Sequence, residues 1–316
     1  MHRKNYLRSF ESFLIALRKD LKNNYQLYFL LALPVAYIVV FHYVPLYGAQ
    51  IAFRNFSASG GISGSPWVGF DQFINFFSSY QFARVIKNTL VISIYSLIAG
   101  FPFPIILAIM LNNTKNIFYK KFVQLTTYAP YFISTVVMVG IVLQFLSLQY
   151  GIVNRVIRLL GFDEIMFMGE SSMFASVYVW SGIWQTTGWG SIIYISALSA
   201  IDPTLYEAAK IDGAGKMARI VHIDLPGILP TMTIMLILSF GNIMSIGYEK
   251  ILLLQNPMNL EASEVISTYI YKVGLAARIQ NYSFGTAIGL FNSVINFVLI
   301  LIVNAISKRI NETSLW

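Results

Sequence analysis

Residues Glu207 to Pro226 read "EAAKIDGAGKMARIVHIDLP". Glu207, Lys210, Asp212, Lys216, Arg219, His222 and Asp224 crowd into this one stretch. The apolar runs on either side, Met173–Ala200 and Ile228–Tyr248, hold no Asp, Glu, Lys or Arg. The segment parses as helix, turn, helix. Asp202-Pro203 is a helix start, with Asp as cap and Pro in the first turn, where its missing N–H has no intrahelical partner to lose. Leu205, Ala208, Ala209 and Ile211 give the first helix a weak apolar face. Gly213 supplies the turn, helix resumes over Ala218–Leu225, and Pro226 is expected to break the chain before the next apolar run. A short helix held by turns at both ends is a docking element. Joining two apolar runs, it is placed to transmit force.

The composition identifies the runs as membrane spans. The 316-residue chain is 56% hydrophobic and 11% charged, with a mean hydropathy of +0.64, against about 25% charged residues in soluble domains. Six stretches reach the ~20 residues that a helix needs to cross a bilayer: Gln26–Leu46, Asn88–Leu111, Phe122–Phe145, Met173–Ala200, Ile228–Tyr248 and Phe284–Ile306. None contains Asp, Glu, Lys or Arg. The expected fold is an all-α membrane protein with six transmembrane helices in one domain over 26–306. A segment 1–25 precedes it and a tail 307–316 follows. The chain has no cysteine, which removes disulfides, thiolate metal sites and Cys nucleophiles.

Lys and Arg set the orientation. Six spans put both termini on one side, together with the loops Asn112–Lys121 and Ile201–Gly227. That side holds 14 of the 22 basic residues: six before the first span, three in each loop and two in the tail. Acidic residues divide equally, seven to a side. Both termini, and the 201–227 loop, are therefore expected in the cytoplasm. The basic balance reads as topology; no compact Lys/Arg run with interleaved aromatics suggests nucleic acid. The apolar run from residue 26 is too long for a cleavable signal core. Before it, Leu7, Phe10, Phe13, Leu14, Leu17 and Leu21 recur at helical spacing, which suits a helix on the cytoplasmic membrane surface or packed on the protein. Pro34, Pro102, Pro104, Pro130, Gly182, Gly188 and Gly190 interrupt the spans. Such breakers serve packing and kinks, or mark a bundle that moves.

The Glu207–Pro226 segment resembles the cytoplasmic coupling loop of binding-protein-dependent ABC importer permeases of the type I, maltose-transporter-like fold. Their pattern is met by Glu207, Ala208, Ala209, Asp212, Gly213, Ala214, Ile223, Leu225, Pro226 and Pro230. It departs at Ile220, where Phe is frequent, and at Asp224, where Thr or Ser is common; the latter change bears on ATPase contact. "WVGFDQF" (Trp67–Phe73), "NTL" (Asn88–Leu90), "APYFIS" (Ala129–Ser134) and "GIVN" (Gly151–Asn154) also match. "SIGYEKILLLQNP" and "EVISTYIYKVGL" resemble the complex-polysaccharide branch, whose members import oligosaccharides. The resemblance implies a bacterial multi-pass cytoplasmic-membrane subunit. It implies a second homologous permease, an extracellular solute-binding protein, and two ATPase subunits that carry ATP and Mg. This chain would bind no cofactor and catalyse nothing. Glu207 would contact an ATPase, Gly213 would hold the turn, and Asp212 would either contact the ATPase or cap the second helix. "GAGK" (Gly213–Lys216) mimics a phosphate loop but fails it, since Lys210 and Met217 stand where Gly and Ser/Thr are needed.

A sugar path needs uncharged hydrogen-bonding groups and aromatic faces. Ser239, Asn242, Ser245 and Glu249 form a polar stripe in the fifth span, with Ser239, Asn242 and Glu249 near one helical face. Asn292 and Asn296 do the same in the sixth, and Trp184 and Gln185 stand with Trp180 and Trp189 in the fourth. Each has an alternative use: Asn and Ser bridge helices, and Trp anchors interfaces. An ion-coupled carrier would bury ionisable residues along its path, and the spans hold no Asp, Glu, Lys or Arg, with His42 in the first as their one His. A membrane enzyme would need paired carboxylates or a metal cluster, yet His2, His42 and His222 are scattered.

Overall fold

The computed structural model describes residues 18–311. Most of the expected 1–25 helix and the end of the 307–316 tail lie outside them. The regular secondary structure of the described residues is helical apart from one bridge, Arg54 to Trp67. Helix α1 (Tyr25–Ile38) continues through a π turn, Val39–Tyr43, into a 3₁₀ stretch, Val44–Phe53. A connecting segment with α2 (Asp71–Ser78) leads to α3 (Gln81–Gly100) and α4 (Pro102–Asn112). Then come α5 (Ile117–Tyr128), α6 (Thr135–Phe145), the surface helix α7 (Ile152–Leu159) and the 29-residue α8 (Ser171–Ser199). The polar 201–227 segment forms α9 (Pro203–Ile211) and α10 (Lys216–Arg219), which leads through a π turn into α11 (Leu225–Gly241). Short helices α12 (Tyr248–Leu254), α13 (Leu260–Ser263) and α14 (Ile266–Tyr271) precede the long α15 (Tyr282–Asn311).

Among the described residues, four helical stretches are long and apolar enough to cross a membrane: Tyr25–Phe53, Gln81–Asn112, Lys216–Gly241 and Tyr282–Arg309. A fifth arises if the bent pair Ile117–Phe132 and Thr135–Phe145 counts as one span. The third expected span is thus not a straight helix. Its halves meet at 104°, because Pro130 sits in a 3₁₀ turn and the Ser134 side chain caps α6 by accepting from the Val137 N–H. The fourth expected span is helical as α8, but its Ser, Thr, Gly and Trp leave it less apolar. Its position explains that composition: α8 packs against α3, α4, α5 and α11, so protein surrounds much of it. Gly188 is where the fit is tightest, since a Cβ there would lie 2.0 Å from the Thr127 carbonyl oxygen of α5.

Pro226 does not break the chain. The helix runs unbroken from Lys216 to Gly241. The π turn over Ile220–Asp224 widens the backbone just before a residue that has no N–H to donate. The break expected there comes instead at Asn242–Gly247, after the helix stops at Gly241.

Several sequence motifs prove to be struts. Asn88 Nδ2 donates to the carbonyls of Glu261 (2.8 Å) and Glu264 (3.0 Å), and Thr89 Oγ1 accepts from the Ile266 N–H at 3.0 Å. "NTL" therefore pins "EVIST" to the start of α3. Glu264, 4% exposed, pairs with Arg84 and, at 2.7 Å, with Lys272. Asn154, fully buried, holds the loop between α6 and α8 by exchanging bonds with the Ile165 backbone at 2.9 and 3.0 Å. Trp67 stacks on Phe53 under the Arg54 guanidinium.

Candidate functional site

Two features stand out, and the Lys216–Gly241 helix joins them. The first is α9. Asp202 caps it by accepting from the Thr204 N–H at 2.9 Å, with Pro203 in the first turn. Its other end is a Schellman closure: Ala214 N–H donates to Ala209 O (2.8 Å) and Gly213 N–H to Lys210 O (3.1 Å). Gly213 takes φ +76°, the left-handed conformation this closure requires. Asp212 is the C-cap that follows α9 rather than a cap on the next helix, whose N-cap is Gly215 with no side-chain bond. Leu205, Glu207, Ala208 and Ile211 are exposed, and Ile211 is 86% so. Glu207 has no side-chain partner among the described residues. Ala209 and Ala214 are half-buried, and Pro226 is exposed on the following helix.

One anchor was not foreseen. Asp224 is fully buried. Its Oδ1 accepts from Tyr206 Oη at 2.5 Å and its Oδ2 from Asn113 Nδ2 at 3.0 Å. Burial first, and then the hydrogen bond and charge of Asp224, push the Tyr206 phenol up to about 12. The carboxylate thus ties α9, the end of α4 and the root of the next helix at one point. Being buried, it presents no surface of its own to another chain. The signal was faint: a Tyr on the inner face of α9 and an acid in an otherwise Thr/Ser position.

The second feature is a cavity of about 540 Å³ between α3, α4, α8 and the broken end of α11. The break is kept intact by neighbours, as backbone inside a membrane must be. The Ser93 hydroxyl donates to Ile243 O, Asn296 Oδ1 accepts from the Met244 N–H at 3.0 Å, and the Ser267 hydroxyl donates to Ile246 O at 3.1 Å. Ser239, Asn242, Ser245 and Gln185 line the cavity with Ser96 and Thr186. Glu249 does not. The helix ends before it, so the expected common face with Ser239 and Asn242 does not exist, and Glu249 is exposed in the first turn of α12. Asn292 and Asn296 lie behind the break; Asn296 Nδ2 donates to Ser245 Oγ at 2.7 Å, a helix bridge. Trp184 lines a separate apolar hollow of about 440 Å³ with Trp180, Val142 and Phe145.

Sequence reasoning missed Lys250. It follows the break on α12, and it lines the cavity. Its Nζ donates to Tyr178 O at 2.8 Å and lies 4.6 Å from the centre of the Tyr178 ring. The expected span ended two residues earlier, so Lys250 read as an outer-loop charge. Among the described residues no cluster of His, Cys, Asp and Glu is arranged to hold a metal.

This arrangement has close counterparts. Residues 100–312 match the family described as binding-protein-dependent transport system inner membrane component. The chain is 38% identical over 91% of its length, and 89% of the relative's, to the polygalacturonan/rhamnogalacturonan transport system permease protein YteP of Bacillus subtilis. It superposes with a TM-score of 0.84, at 42% identity, on a chain of a bacterial ABC transporter that imports the acidic polysaccharide alginate, covering 93% of this chain and 99% of that one. A second structure, of the alginate transporter with its pentasaccharide-bound periplasmic protein, gives 0.85 at 40% identity, covering 94% and 99%. The matched region holds the exposed α9, its Gly213 closure and the polar break in the following helix, and the chain belongs to the binding-protein-dependent transport system inner membrane component family.

Proposed function

We propose that this chain is one of two permease subunits of an ATP-driven importer for oligosaccharides cut from complex polysaccharides. It sits in the bacterial cytoplasmic membrane with both termini and α9 inside. Its six spans are the α1 stretch, α3–α4, the bent α5–α6 pair, α8, Lys216–Gly241 and α15. A homologous permease completes the path, a solute-binding protein delivers sugar from outside, and two ATPase subunits hold ATP and Mg below. The names of the polysaccharide-importing relatives support the substrate class.

The observation that carries this reading is the form of the coupling element. An exposed face of Leu205, Glu207, Ala208 and Ile211 is coupled by the turn Asp212–Gly215 to a helix that ends at a polar cavity. Its 26 residues make a rod roughly 40 Å long at 1.5 Å per residue. An ATPase that grips Glu207 and Asp212 and then closes pulls on that rod through the turn. The Tyr206–Asp224–Asn113 tie carries the same pull to the end of α4, a wall of the cavity.

The test is co-purification in mild detergent with native mass determination, followed by Glu207→Ala. The expected complex holds one related permease and two ATPases. Glu207→Ala keeps the chain in the membrane and weakens ATPase docking by about 2 kcal/mol, the loss typical of a central interface contact. A lone chain with no ATPase, or unchanged docking and uptake in the variant, refutes the assignment.

A further inference from the structure

We propose that Lys250 turns the cavity into a carboxylate-binding subsite, so that the sugars passing through it are acidic ones carrying uronic-acid groups. This rests on the transport reading above and names its substrate class.

Lys250 is the one ionised side chain on the cavity wall. Two other half-buried cations, Arg84 and Lys272, share Glu264 as a counter-charge. Lys250 meets no carboxylate among the described residues, and its neighbour Glu249 is exposed and off the cavity. An ammonium removed from water without a counter-ion opposes folding, and such a charge at membrane depth marks a ligand path more often than a strut. The site is also shaped for it. Gly182 on α8 leaves the space that Nζ uses; a Cβ there would lie 3.2 Å from the nitrogen. The Tyr178 carbonyl takes one of the three ammonium protons, which leaves two for a carboxylate. The remaining wall suits the rest of a sugar. The Ser96 hydroxyl is buried without a partner. Thr186 and Ser239 give their protons to carbonyls of their own helices, so their oxygens remain acceptors for sugar hydroxyls. The volume, about 540 Å³, falls within the roughly 300–1,000 Å³ of small-molecule sites.

The experiment uses the intact complex, with partner permease, ATPases and binding protein, in proteoliposomes. ATP-driven uptake is measured for trigalacturonate and trimannuronate, and for neutral xylotriose and galactotriose. The wild type is expected to take up an acidic trimer. A hydrogen bond to a charged group is worth a factor of about 10 to 100, so Lys250→Met lowers that uptake by this factor, while Lys250→Arg restores most of it. Complex assembly stays unchanged in both. Uptake of neutral trimers alone by the wild type overturns the proposal and leaves the transport reading standing. So does normal uptake of the acidic trimer by Lys250→Met. Equal loss of acidic and neutral uptake makes Lys250 a tie between α12 and α8, and again overturns it. A wild type that takes up none of the four refutes the transport reading itself.

Discussion

Removing the Asp224 carboxylate should release α9 from the membrane domain. Asp224→Ala deletes the acceptor shared by Tyr206 and Asn113. Hydrogen bonds to an ionised group contribute about 1.5–3 kcal/mol each, so the two bonds amount to some 3–6 kcal/mol. Against this, the buried carboxylate has no cation bonded to it among the described residues, and deleting it recovers a desolvation cost of several kcal/mol. The net attachment lost is about 2–3 kcal/mol. Tyr206→Phe removes one bond and leaves the carboxylate on Asn113, a loss of about 1.5 kcal/mol. The assay is hydrogen exchange, which reads local opening directly. Its reporters are the N–H groups of Asp212, Gly213 and Ala214, which close the end of α9 on Ala208, Lys210 and Ala209. At 1.4 kcal/mol per tenfold, they should exchange about tenfold faster in Tyr206→Phe and about 30- to 100-fold faster in Asp224→Ala. Amides in the middle of α15 serve as the unchanged reference. The double variant should match Asp224→Ala, because Tyr206 acts through that one acceptor. Exchange within twofold of wild type in Asp224→Ala would refute the tie.

Three further outcomes follow from local geometry. Gly213→Ala meets no atom within 4 Å but forces Ala to φ +76°, which costs about 1–2 kcal/mol; circular-dichroism melting should show a small loss, and coupled uptake a larger one. Gly188→Ala places a Cβ 2.0 Å from Thr127 O, so α8 and α5 must part; a loss of about 3 kcal/mol should appear as a lower melting temperature and poorer yield of folded chain. Glu264→Gln leaves Arg84 and Lys272 facing a neutral amide. Breaking a buried pair costs about 3–5 kcal/mol, and because these cations are 32% and 35% exposed about 2 kcal/mol is expected, measured as faster proteolysis of the 251–283 loop.

The sequence disclosed most where one residue type has one use. Asp202-Pro203 and Gly213 mark the ends of α9 because only a cap, a missing N–H and a left-handed backbone suit those places. The apolar runs located helices well, since hydrophobic length is a sum over twenty residues and tolerates local exceptions. What stayed hidden depends on neighbours distant in sequence. Whether Pro226 ends a helix or is absorbed by a π turn is decided by packing at Ile220–Asp224. Whether the fifth span reaches Tyr248 or stops at Gly241 depends on side chains from α3 and α15 that can satisfy a broken backbone. The polar stripe was drawn on a helix that does not continue, so it captured Ser239 and Asn242 and misplaced Glu249.

The matched motifs carry a sharper lesson about where selectivity resides. "NTL", "GIVN" and "EVIST" are the most recognisable stretches outside the coupling loop, and each is spent on holding loops: Asn88 and Thr89 on the 261–266 backbone, Asn154 on Ile165. A strut must satisfy backbone groups at fixed distances, and few side chains can do so, which is why its pattern is easy to recognise. A cavity wall is under a looser geometric rule. Ser, Thr, Asn and Gln all present hydrogen-bonding groups, and a Lys reaches its place along a flexible stem of four carbons. Lys250 accordingly stands inside a recognisable stretch, "SIGYEKILLLQNP", without any spacing that marks it as lining a path. Family motifs therefore locate the scaffold in this chain, while the lysine on the cavity wall becomes visible only when the break at Asn242–Gly247 turns α12 back onto α8.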